Sequence, residues 1–112
     1  MIQNWKDAKA IMETARDKKK GKPIANNTRL WEDWKGDYEI RLHGNVIIRI
    51  NEEGMSLHDG GWKTVTTKAR LNDWTPYHVY QKNWEWILRI GKKEYPFGKV
   101  RFIHNDARVE TY

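Results

Sequence analysis

Thr64, Thr66, Thr67, Lys68 and Arg70 crowd into one short stretch directly behind Gly60-Gly61-Trp62. If a helix begins there, its unpaired N–H groups, the hydroxyls and the two cations could together hold the phosphate of a nucleotide or of a nucleic-acid backbone. The same residues have an architectural reading: Thr66 caps the helix, Thr64 and Val65 finish a turn, and Lys68 and Arg70 are solvated. A second basic feature, Lys18-Lys19-Lys20, could dock on nucleic acid or an acidic surface, or could simply be the solvated end of a helix. The seven tryptophans suggest a third chemistry. Trp31, Trp34, Trp84 and Trp86 could stack on single-stranded bases while Arg41, Arg49, Lys82, Arg89 and Arg101 follow the backbone. Against this, Trp84 and Trp86 alternate with Leu88 and Ile90 on what reads as a core face. Trp31 and Trp34, three apart, cannot share one face of a regular strand, so one of them is expected at the surface as an interface residue.

Enzymatic readings find little footing. Ser56 is the only serine, and it lacks the flanking glycines of a nucleophile elbow. His43, His58, His78 and His104 show no HExxH spacing, and there is neither a P-loop nor any cysteine, so no metal or cofactor is expected. His58-Asp59 beside the glycine pair could form a base and its orienting acid, but two polar loop residues at a strand end is the simpler account. The expectation is a protein that is not an enzyme and has no catalytic residues.

The elements that must position these groups follow from periodicity. Trp5, Ala8, Ile11, Met12 and Ala15 recur three or four apart, which predicts a helix from Asn4 to Lys20, capped by Asn4 and stopped by Gly21 and Pro23. After the polar connector Ala25-Asn26-Asn27, short strands are expected at Arg29–Trp34, Asp37–His43, Val46–Ile50 and Met55–Leu57. In the second of these Tyr38, Ile40 and Leu42 share one face; in the third Val46, Ile48 and Ile50 face inward and Ile47 and Arg49 outward. Gly44-Asn45 is the tight turn between those two. A helix near residues 66-74 follows, with Thr67, Leu71 and Trp74 on one side, until Pro76 ends it. Strands at Tyr77–Gln81, Trp84–Ile90, Glu94–Phe97 and Lys99–Ile103 complete the pattern, with Pro96 marking an edge and the last nine residues a loose tail. The fold class is therefore α+β: an N-terminal helix and an antiparallel, meander-like sheet of about five to seven strands with a short inserted helix. Residues 1-22 read as a basic amphipathic helix and 23-112 as the α+β body, one globular unit overall.

Composition narrows the partners. At 112 residues one modest core is the prior. The net charge of +6 is unevenly spread: between Met1 and Lys22 seven Lys or Arg stand against three acids, and the rest of the chain is nearly balanced. A dedicated duplex reader would carry its cations on the folded body, so a basic-body DNA reader is disfavoured. No apolar run approaches the roughly 20 residues of a membrane helix, the N-terminus lacks the apolar core of a secretory signal, and the absence of cysteine fits a reducing compartment.

From Ala25 onward the chain resembles a widespread group of small proteins encoded by tailed bacteriophages and prophages. The residues that carry the likeness are Asn26-Asn27-Thr28 with Leu30, Ile40-Arg41-Leu42-His43, Gly54 and Leu57. They continue with Gly60-Gly61-Trp62, Thr64, Thr66-Thr67-Lys68, Arg70 and Asn72, then Val79-Tyr80-Gln81, Trp86 and Pro96-Phe97. Ala69 departs from the acidic residue expected in that pattern, removing a capping partner for Thr66. The resemblance implies a phage or prophage origin and a setting in the host-cell cytoplasm. Together with the lack of catalytic spacing and the excess of Trp, it leads to an expected role as a phage accessory protein. Such a protein would bind a host protein or nucleoprotein complex that handles nucleic acid or defends the cell, and would inhibit or redirect it. Direct binding of DNA, RNA or a nucleotide is the alternative, and a virion or assembly component the third.

Overall fold

Hydrophobic alternation broken by tight turns builds most of this chain. The computed structural model describes residues 1–112. Helix α1 (Trp5–Met12) and a 3-10 turn (Lys18–Lys20) lead into β1 (Lys22–Ala25), β2 (Thr28–Glu32), β3 (Tyr38–Leu42), β4 (Asn45–Asn51) and β5 (Gly54–Leu57). Helix α2 (Val65–Trp74) follows, then β6 (His78–Lys82), β7 (Glu85–Ile90), β8 (Lys93–Pro96), a 3-10 turn (Phe97–Lys99), β9 (Val100–His104) and β10 (Val109–Thr111). Seven strands form one sheet in the order β1-β2-β3-β4-β5-β9-β10, and β6-β7-β8 form a second. Every neighbouring pair is antiparallel. The architecture is α+β with an N-terminal helix and an inserted helix. The second sheet is the feature that a single meander does not anticipate: α2 and β6–β8 enter together between β5 and β9.

One core joins these parts. Leu30, Ile40, Ile48, Ile50, Met55 and Ile103 of the large sheet pack in a cluster with Ile2, Ala8 and Met12 of the N-terminal segment, Leu71 of α2, and Val79 and Leu88 of the small sheet. Trp5 reaches across to the β2–β3 loop, its indole N–H donating to the Gly36 carbonyl at 2.9 Å. The Ile2 N–H donates to the Trp74 carbonyl, tying the start of the chain to the end of α2.

Several local expectations are corrected. Asn4 does cap α1, accepting from the Asp7 N–H at 3.0 Å, but the helix ends at Met12 and not at Lys20. There the Thr14 hydroxyl takes the Ile11 carbonyl at 2.6 Å, and Asp17 caps a new turn by accepting from the Lys19 N–H. Short polar side chains compete here with the helix ladder. Residues Lys22–Ala25 are strand, and Asn26-Asn27 is the hairpin turn, with Asn27 at φ 53°. The β3–β4 turn is His43-Gly44, both residues with positive φ, as a two-residue turn of twisted strands requires. Ile47 is buried, because Arg41 pairs with Val46 and Ile40 with Ile48, so Ile47 is the extra residue of a bulge. The tail is also structured, with β10 returning on β9.

Candidate functional site

The Gly60-Gly61-Trp62 segment is a turn held by its own aspartate. The Asp59 carbonyl accepts from the Trp62 N–H at 3.1 Å and its Oδ1 from the Gly61 N–H at 2.8 Å, while Gly60 and Gly61 take φ of 67° and 89°. A Cβ at the first of these would also lie 3.1 Å from the Ile47 Cγ2, a tight contact that the Ile47 side chain would have to relieve. Helix α2 then starts at Val65, one residue ahead of expectation, and its cap is Thr64, not Thr66. The Thr64 Oγ1 accepts from the Thr67 N–H at 3.1 Å and meets the Thr67 hydroxyl at 2.9 Å. A cap bonds the N–H three residues on, and only Thr64 has one free of ladder partners at that spacing.

Residues far apart in the chain converge on this start. The Arg70 Nε donates to the Thr28 hydroxyl at 3.0 Å, and its guanidinium lies 3.7 Å from the Asp73 carboxylate. The His43 N–H donates to the Asn27 carbonyl at 2.8 Å. Asn72 grips β6 with both ends of its amide: Oδ1 accepts from the Val79 N–H at 2.6 Å and Nδ2 donates to the Val79 carbonyl at 2.9 Å. The stretches around Asn27, His43, Gly60 and Arg70 are thus one neighbourhood.

A cavity of about 350 Å³ opens there, lined by Leu42, His43, Asn45, Ile47, Asp59, Gly60, Trp62, Thr64, Thr66 and Thr67. It gathers three of the five residues named for a phosphate site. Lys68 and Arg70 are not among the lining residues, and Arg70 is occupied by Thr28 and Asp73. Lys18, Lys19 and Lys20 stand exposed on their 3-10 turn beside Arg29, whose Nη1 donates to the Lys20 carbonyl at 3.0 Å. His43 and Asn45 are cavity residues that sequence reading does not assemble with the threonines, because they meet only through the fold.

The aromatic residues separate into buried and displayed sets. Trp86 is buried edge-on against Phe97, with ring centroids 5.3 Å apart. Trp84 is not on the Trp86 face: Asn83 and Trp84 form the β6–β7 turn at φ 51° and 67°, and Trp84 is 92% exposed. It borders an open groove with Lys63, Pro96, Lys99 and Tyr112. Trp34 is 90% exposed in the β2–β3 loop, not in a strand. Trp31 lies half-buried under the Arg41 guanidinium, 4.8 Å from its ring centroid. On the same outer face Glu39 is buried between two arginines, taking Arg41 on Oε1 at 2.6 Å and Arg49 on Oε2 at 2.5 Å. Two of the cations proposed to follow a nucleic-acid backbone are therefore already paired. No group of three His, Cys, Asp or Glu side chains is placed to hold a metal ion.

These features define a small α+β protein with an inserted helix and a second sheet, in which the start of that helix and two turns enclose a cavity edged by Trp62. A family model described as Kyanoviridae Gp96 protein matches residues 5–108, and the chain belongs to that phage protein family. The match includes α1, which the resemblance from Ala25 onward does not reach. No curated protein and no solved structure matches the chain. No helix is long and apolar enough to cross a membrane.

Proposed function

We propose that this protein is a non-enzymatic phage accessory factor acting in the host cytoplasm. In this reading it docks on a host protein or nucleoprotein complex that handles nucleic acid or defends the cell, and inhibits or redirects it. The observation that carries this reading is the display of Trp34 and Trp84, 90% and 92% exposed, on braced turns. The loop bearing Trp34 is pinned by Asp33, whose Oδ1 accepts from the Lys35 and Asp37 N–H groups at 2.8 and 3.0 Å. Trp84 sits in a left-handed conformation that a bulky residue adopts only at a cost. Neither ring adds to the core, and tryptophans are enriched among the residues that anchor protein interfaces.

A second reading, direct nucleic-acid binding, is favoured by Lys18–Lys20 standing next to Arg29, with Arg41 stacked on Trp31 close by. One experiment weighs both. Tagged wild type, Trp34→Ala and Trp84→Ala are used to capture material from host lysate with and without nuclease, alongside thermal melts of each variant. The expected result is one discrete, nuclease-resistant protein or complex, lost or strongly reduced in a Trp variant that melts like wild type. Capture unaffected by both substitutions overturns the docking reading. Material that disappears with nuclease, and with alanines at Lys18, Lys19 and Lys20, supports the second.

A further inference from the structure

The cavity between the His43-Gly44 turn, the Asp59–Trp62 turn and the start of α2 is untouched by the docking reading, and its lining selects a ligand by elimination. Leu42 and Ile47, both buried, give it an apolar floor. Asn45, Asp59 and Thr66 give it a polar rim, and Trp62, 68% exposed, stands at its edge. Neither Lys nor Arg lines it, His43 is the only lining group able to carry positive charge, and Asp59 brings a carboxylate. A phosphate there would meet the like charge of Asp59, offset only by the partial charge of the α2 start, whose Thr67 N–H is already taken by Thr64. A sugar with hydroxyls on every side would bury some of them unpaired against Leu42 and Ile47. A flat ring with apolar faces and hydrogen-bonding groups along one edge meets neither penalty. The volume of about 350 Å³ is at the lower end of small-molecule sites, enough for one ring system.

We infer that this cavity binds a single nucleobase, stacked on Trp62 with its donor edge on Asp59, and that guanine is the preferred base. The adjacent N1–H and N2–H donors of guanine match the acceptor pair of a carboxylate, a charge-assisted two-bond contact that adenine cannot make. Asp59 Oδ1 already accepts from the Gly61 N–H at 2.8 Å, which fixes the plane of the carboxylate and leaves Oδ2 without a partner in the fold. Asn45 and Thr66 add an amide and a hydroxyl for the remaining polar atoms of the ring. The base could belong to a free nucleoside or to a single strand. Duplexed guanine, whose same edge is already paired, is excluded.

The test is titration of the purified full chain at mildly alkaline pH with guanosine, adenosine and cytidine, followed by calorimetry and amide NMR. Single strands with and without one guanine, and the matching duplex, are titrated in the same way. Guanosine is expected to shift the amides of Asn45, Gly60, Trp62 and Thr66 saturably and to bind about tenfold more tightly than adenosine. Asp59→Asn keeps an oxygen for the Gly61 N–H, so the turn survives; it should weaken guanosine about tenfold and leave adenosine nearly unchanged. Trp62→Ala should weaken both nucleosides by roughly 5- to 100-fold. A guanine-bearing strand that outbinds guanosine identifies the strand as the source, and equal affinity identifies the free nucleoside. No saturable shift at millimolar guanosine, shifts confined to other surfaces, or indifference to Asp59→Asn overturns the proposal. None of these readouts involves a host partner, so the site stands or falls separately from the docking reading.

Discussion

Ser56 Oγ and His58 Nε2 lie 2.8 Å apart, the spacing of a nucleophile and its base. The closeness follows from the strand: residues two apart project to one side, so β5 brings the pair together without any special geometry. Ser56 sits within β5 opposite Arg49. The surroundings of His58 impose a pH dependence. Burial foremost, then the Arg49 guanidinium, hold the His58 pKa below its ordinary value, with Asp59 pulling the other way. In the unfolded chain His58 takes up a proton near about 6.5. In the folded chain it does so only at lower pH. Below that value the unfolded state therefore binds more protons, and stability present at neutral pH is lost as pH falls toward the folded pKa. Denaturant midpoints measured across this window should fall with pH in wild type and fall less steeply in His58→Gln. Parallel slopes would remove His58 as the cause.

At the scale of elements, α2 is fastened by side chains that a helical wheel does not reveal. Asn72 acts as a stand-in for a neighbouring strand, satisfying both the N–H and the carbonyl of Val79 on edge strand β6. Asn72→Asp keeps the acceptor but sets a carboxylate oxygen against the Val79 carbonyl. It should cost about 1–3 kcal/mol in chemical denaturation, and wild-type stability would mean the clamp contributes nothing. Asn72 and Arg70 stand out in the sequence only as members of a pattern, because their partners lie across the fold. Strands β3, β4 and β7 were legible from alternation, and α2 from its threonines and Pro76. The failures share a cause, which is that a one-residue irregularity is silent in a period-2 pattern. Ile47 and Trp84 both continue a regular alternation on paper, yet one is the extra residue of a bulge and the other occupies a positive-φ turn. The end of α1 was hidden in the same way, since Ala15 keeps the helical period while the Thr14 hydroxyl takes the Ile11 carbonyl. Of the cavity, the Asp59–Trp62 turn and the threonines could be read in advance, as neighbours in the chain. Its other walls come from the β3–β4 turn, which is close to them only after folding.

For the molecule as a whole, the decisive contact is the return of β9 to β5 once α2 and the small sheet have been inserted between them. Gly54 pairs with His104 and Met55 with Ile103, so the large sheet closes only through residues distant in the chain. Asn105 helps seal this closure, its N–H donating to the Glu53 carbonyl at 2.9 Å and its side-chain amide to the Glu52 carbonyl at 2.7 Å. Gly54 is needed there for space and not for its backbone angles: a Cβ would fall 2.0 Å from the Ile103 carbonyl oxygen and 2.9 Å from the His104 Cα. Both obstacles are backbone, so no side-chain rotation relieves them. Gly54→Ala must therefore push β9 away and carry β10 with it, while the β6–β8 hairpins, which pair only among themselves, keep their register. The expected loss is about 3 kcal/mol, at the upper end of overpacking costs. Hydrogen exchange should show protection lost first at Val100–His104 and Val109–Thr111 and retained longer at Val79 and Leu88. A variant as stable as wild type, with β9 still protected, would mean that the large sheet does not depend on this crossing and that the insertion, rather than the β5–β9 pairing, holds the two ends of the chain together.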